Sequence, residues 1–200
     1  MKYVDRLLQD TEYLELADQL EQAEAARIFC RHGLPHFLDV ARIAWIMVLE
    51  QTALTDNGAV GRWKADEGVQ TAATWRKEPE LVKEKIYLTA LLHDLGRLEE
   101  AELGTPHHEA GARLAQKLLD RIGYPRKEQR DILSAILGHR GEHLRNDMSD
   151  ISGCQTEDKS NEDFIKIIKE ADNRSRNCFY CKAQTECKWR QERRNRTILW

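Results

Sequence analysis

His93 and Asp94 stand side by side at the end of an apolar run, Tyr87-Leu88-Thr89-Ala90-Leu91-Leu92, with Gly96 and Arg97 just beyond. The run reads as a buried helix, where an imidazole and a carboxylate cost free energy unless something satisfies both. A divalent metal does so, because neutral imidazole and carboxylate are both good ligands for a borderline transition ion. A His–Asp hydrogen bond that merely stabilises a core is the plainer alternative. Four other positions shift the balance toward a metal. His36 is in register with Val40, Ile43, Ala44 and Met47, and His107 with Gly111, Leu114, Ala115 and Leu118. His139 follows Ile132 and Ile136, and Asp172 follows Ile165 and Ile168, at helical spacing. Residues three and four apart share a helix face, so each of these side chains points into the core. Convergence on one metal centre accounts for all of them.

Helices must position these groups. Apolar residues recur mostly at helical spacing, no useful strand alternation occurs, and only four prolines interrupt the chain, so the fold is expected to be all-α. One or two amphipathic helices are expected over residues 2–30. Pro35 suits the first turn of a helix that carries His36 and runs to about residue 50. Residues 51–80 are less regular. The His-Asp helix is expected over about 81–95, and a helix with Thr105 as N-cap and Pro106 as first residue runs to about 121. Further helices are expected over 126–138 and from 161 or 162 through Asp172, with a polar loop over 144–162.

The ordered set resembles the HD-domain metal-dependent phosphohydrolases. Its pieces are His36-Phe37-Leu38-Asp39-Val40, Leu91-Leu92-His93-Asp94-Leu95-Gly96-Arg97, His107-His108-Glu109-Ala110-Gly111, Gly138-His139-Arg140 and Glu170-Ala171-Asp172. The resemblance implies a helical bundle with a metal site in its core, over residues 31–176. It implies His36, His93, Asp94 and Asp172 as ligands of a primary metal, and His107 and His139 as ligands of a second metal or as contacts to substrate phosphate. One or two divalent ions of iron, manganese, zinc, cobalt or nickel are expected. The activity implied is hydrolysis of a nucleotide, a dinucleoside polyphosphate or another small phosphate ester by a metal-activated water, with Asp94 orienting it. Arg97 and Arg140 are candidates to grip phosphate, each weighed against a surface salt bridge. His107 is preferred over His108, because the glycine on its face permits close approach; His108 remains a candidate substrate contact. His143 is a weaker candidate. His32 reads as a solvated loop residue rather than one facing the pocket mouth. The insert over 51–80 is a candidate lid, which would alter the substrate admitted, and residues 1–30 form a helical extension.

Cys178, Cys181 and Cys187 crowd a basic tail over 177–200. A CxxC pair is a good metal half-site. A zinc or iron–sulfur site, a redox-active thiol pair and unligated thiols all remain open, and a fourth ligand is not evident, with Cys154 near in sequence and Cys30 remote. The competing function is a non-catalytic metal- or redox-sensing module on the same scaffold. A net charge of −3 gives no footprint for nucleic acid. No stretch of about 18 apolar residues suggests a membrane helix, and the charged N-terminus lacks a secretory segment. Five cysteines without a disulfide-scaffold spacing fit a reducing cytoplasm. The expected partner is a small phosphorylated molecule.

Overall fold

The computed structural model describes residues 1–56, 75–139 and 159–198, and among these it is all-α. The helices are α1 (Lys2–Leu7), α2 (Thr11–Ala23), α3 (Leu34–Asp56), α4 (Pro79–Leu92), α5 (Arg97–Leu103), α6 (His107–Arg121), α7 (Arg126–Gly138) and α8 (Lys159–Arg174). Two single 3-10 turns, Cys178–Tyr180 and Gln191–Arg193, interrupt the tail. No helix among the described residues is long and apolar enough to cross a membrane.

Local signals explain most boundaries. Asp10 caps α2 by accepting from the backbone N–H of Glu12 and Tyr13 at 3.0 and 3.2 Å, worth about 1 kcal/mol. Pro79 opens α4, where its missing N–H costs nothing. Two expectations are corrected. Thr105 does not cap α6; Pro106 takes that place with extended backbone (φ −54°, ψ 126°) and His107 is the first helical residue. The side chain of Glu100, on α5, accepts from the His107 N–H at 3.3 Å instead. The His-Asp helix ends at Leu92, so His93 is its C-cap and Asp94 lies in the following turn. Helices α3 and α8 run longer than their periodicity predicts, and α5 is a short helix that the apolar pattern does not predict.

α3 lies against α4 and α8, and α7 lies against α4, α6 and α8. One apolar cluster joins Leu88, Leu91 and Leu92 of α4 to Leu118 of α6 and Ile132 and Ile136 of α7. Val4, Leu7, Tyr13 and Leu20 of α1 and α2 are buried in the same cluster, so the N-terminal helices share the domain's core. A second cluster joins Val40 and Ala44 of α3, Ile86 and Ala90 of α4, Ala135 of α7 and Ile168 of α8. α4 and α7 contribute to both clusters, and each delivers a histidine at its C-terminal end.

Candidate metal centre

Asp94 is buried, and its two carboxylate oxygens face two different sets of imidazoles. Oδ2 lies 3.2 Å from Nε2 of His93 and 3.6 Å from Nε2 of His36. The same His36 nitrogen is 3.4 Å from Oδ1 of Asp172. Oδ1 of Asp94 lies 3.8 Å from Nε2 of both His107 and His139. The ligand atoms of His36, His93, Asp94 and Asp172 all fall within 4.8 Å of one another, as do those of Asp94, His107 and His139. Ligands about 2.1 Å from one ion stand roughly 3–3.5 Å apart, so both groups need only small adjustment to close on a cation.

Each histidine is oriented through its other ring nitrogen. Nδ1 of His93 donates to the Ala90 carbonyl at 2.8 Å, and Nδ1 of His139 to the Ile136 carbonyl at 2.6 Å. Nδ1 of His107 donates to Glu100 Oε1 at 2.9 Å. Nδ1 of His36 donates to Ser175 Oγ at 3.2 Å, and that hydroxyl donates onward to the Asp172 carbonyl at 2.8 Å. This pattern fixes the tautomer that a metal-binding imidazole requires. It leaves Nε2 of His36, His93, His107 and His139, and Oδ1 of Asp94, buried and without a hydrogen-bond partner. Orphaned polar atoms that converge at one place are costly unless a cation satisfies them, and nitrogen and carboxylate donors suit a divalent transition metal.

The HD-domain family matches residues 33–177. The chain belongs to this family of metal-dependent phosphohydrolases. A relative from Clostridium beijerinckii (strain ATCC 51743 / NCIMB 8052), itself described as uncharacterized, is 34% identical over 194 residues, covering 97% of this chain and 96% of its own. No solved structure matches.

Electrostatics in this HD centre are set by burial and by the carboxylates. Burial alone would raise the Asp94 pKa, but the neighbouring His93, His139 and His36 hold it well below the usual carboxylate range. Burial would lower His36, yet Asp172 and Asp94 outweigh it and push it up to about 9. Burial dominates at His107 and pushes it down to about 4, against the pull of Glu100. His107 is therefore neutral at physiological pH, whereas metal-free His36 carries a proton that a metal must displace. Metal uptake at pH 7.5 is expected to release about one proton from His36, and affinity should rise with pH until about 9 and then level off. Calorimetric titration in buffers of different ionisation heat measures that release; no proton release between pH 7 and 8 would contradict the assignment.

The other candidates divide. Arg97 opens α5 and turns back, with Nε 2.9 Å from Asp94 Oδ1 and a side chain only 9% exposed, so it is not a surface salt bridge. His108 is one position round α6 from His107; its ring is partly exposed beside Glu109 and does not line the cavity at the centre. Arg140 and His143 fall outside the described residues, as does most of the 51–80 insert. His32 corrects an expectation. It is buried rather than solvated, because Glu24 accepts from its backbone N–H at 2.6 Å and pairs with Nδ1 at 2.9 Å. Its Nε2 stands 3.9 Å from Asp94 Oδ2 and it lines the cavity. Glu24, eight residues earlier, was the sequence signal, but the two are separated by a break that periodicity does not bridge.

Proposed function

We propose that this chain hydrolyses a nucleotide, a dinucleoside polyphosphate or another small phosphate ester at the HD centre. The observation that carries the reading is Asp94, whose two oxygens address two imidazole sets, each with buried, unpartnered Nε2 atoms. Divalent ions held there would lower the pKa of a water toward neutrality and neutralise phosphate oxygens. His36, His93, Asp94 and Asp172 would hold the first ion, and Asp94, His107 and His139 a second.

The chain supplies the rest. A cavity of about 450 Å³ opens on the centre, lined by His36, Arg97, His139 and Asp172, with Arg27, Lys169 and Arg176 on its walls. Its size suits a small ligand and its cationic walls suit a polyanion. Arg97 is ion-paired with Asp94 Oδ1 through Nε at 2.9 Å, and both its Nε and its Nη2 are buried without a hydrogen-bond partner. Nη2 would grip a phosphate oxygen, while the ion pair holds the guanidinium in position for it. The sensing alternative draws on Cys178, Cys181 and Cys187, which line the same cavity.

A turnover assay of the metal-loaded chain against a panel of phosphate esters tests the reading. Hydrolysis should require metal and disappear in His93→Ala. Arg97→Ala should lower kcat by roughly tenfold or more, with Arg97→Lys recovering part of it. Full turnover after thorough chelation contradicts the mechanism, and a metal-loaded chain inert on every ester favours the sensor.

A further inference from the structure

Cys30, Cys178, Cys181 and Cys187 line one wall of the cavity beside the HD centre, although Cys30 precedes α3 and the other three follow α8. None is in a disulfide and each is partly buried. Burial pushes the Cys30 thiol up; Cys178 and Cys181 push it further and the Arg176 guanidinium opposes them, as befits neighbours in one pocket. The tail around these thiols has almost no apolar core of its own: Ala183 is its one buried hydrophobic residue among the described residues. It is nonetheless closely tied down. Arg194 donates to the carbonyls of Cys187 at 2.8 Å and Gln184 at 2.7 Å. Asn195 Nδ2 reaches the carbonyls of Asn173 and Arg176, each at 2.8 Å, at the end of α8. A segment with so little to bury usually needs a staple, and four convergent thiols are the donors of one.

We propose that Cys30, Cys178, Cys181 and Cys187 ligate an iron–sulfur cluster of the [4Fe–4S] type, which joins the N-terminal segment to the tail in the wall of the HD cavity. A remote cysteine joined to a C-x2-C-x5-C run supplies the four thiolates such a cluster takes. A single zinc held by four thiolates at about 2.3 Å brings the sulfurs within roughly 3.8 Å of one another. Among the described residues, the only groups of three or more ligand atoms mutually within 4.8 Å are the two His/Asp groups, so the four thiols stand wider than one zinc requires. A polynuclear cluster spaces its ligands more widely. Four thiolates give it a net negative charge, and Arg27, Arg176, Arg194 and Lys188 face the same cavity. The site uses none of the HD ligands and does not depend on the hydrolytic reading.

The full-length chain, purified and reconstituted with iron and sulfide without oxygen, tests this. About four irons and four acid-labile sulfides per chain are expected beyond the metal of the HD centre, with a broad visible absorption that bleaches on reduction. Cys30→Ala and Cys187→Ala should each bring labile sulfide to background, with manganese uptake at the HD centre unchanged. His93→Ala should keep the full sulfide content, which separates this site from that centre. Absence of labile sulfide in the unmodified chain overturns the proposal. So does one zinc that the cysteine variants lose, or full sulfide content in Cys30→Ala.

Discussion

Asp94→Asn should take metal content from about two ions per chain to near none and lower hydrolysis at least about a thousandfold. Asparagine keeps the size and one oxygen but loses the charge and the second oxygen donor. Both matter, since Oδ2 addresses His36 and His93 while Oδ1 addresses His107, His139 and Arg97. No other side chain among the described residues belongs to both groups. His107→Ala removes a ligand from one group alone, so its metal content should fall only from about two ions to about one. Elemental analysis under saturating metal reads both variants. Equal metal loss in the two, or full loading of Asp94→Asn, would rule out Asp94 as a ligand common to both groups. A count of one ion in the unmodified chain would leave the mononuclear version, with His107 and His139 free to meet phosphate. The variant also leaves Arg97, whose side chain is only 9% exposed, without its counter-charge, a destabilisation of about 3 kcal/mol when such a largely enclosed pair is broken. Circular dichroism must therefore confirm that the variant remains folded at the assay temperature.

Sequence pattern reached far into this centre because the groups it needed sit on regular helices. His36, His107 and Asp172 each repeat with apolar neighbours three and four residues away, and the structure turns each of them toward the interior. His93 survived a wrong helix boundary: its C-cap backbone is still right-handed helical (φ −60°, ψ −33°), so it keeps the helix's register. What periodicity could not reach lies off the helices. His32 is placed by Glu24 across an irregular segment, and Cys30 meets Cys178 and Cys181 only because the chain's two ends fold onto the same cavity. Helix α5 is short, with no buried residue of its own, so it left no apolar stripe to read. Yet it carries both Arg97 and the Glu100 that orients His107.

Gly96→Ala should be among the most damaging single changes to the fold, though Gly96 touches no metal ligand through a side chain. Its backbone is ordinary (φ −65°, ψ −8°), so conformation does not demand glycine here. Space does. A Cβ at Gly96 would run into the His107 carbonyl oxygen and the Gly111 backbone N, and would stand 2.9 Å from the Gly111 Cα. These are backbone atoms in the first turns of α6, not the yielding end of a side chain. The turn after Asp94 therefore packs directly on the helix that presents His107. Gly111 answers from the other side, where an added Cβ would lie 3.2 Å from the His93 carbonyl oxygen. One methyl at Gly96 must push α6 away, and overpacking of this kind costs about 3 kcal/mol or more. For a chain of this size that corresponds to a thermal midpoint lower by roughly 6–12 °C. Because α6 carries His107, the second ion should be lost before the first. Gly104→Ala is the contrast: its φ of 75° strains alanine, but nothing lies within 4 Å, so the cost should stay near about 1 kcal/mol with metal content unchanged. Thermal unfolding followed by circular dichroism, with metal counted on the same samples, measures both. A Gly96→Ala chain that melts with the parent and retains two ions would show that α5 and α6 do not need this close approach.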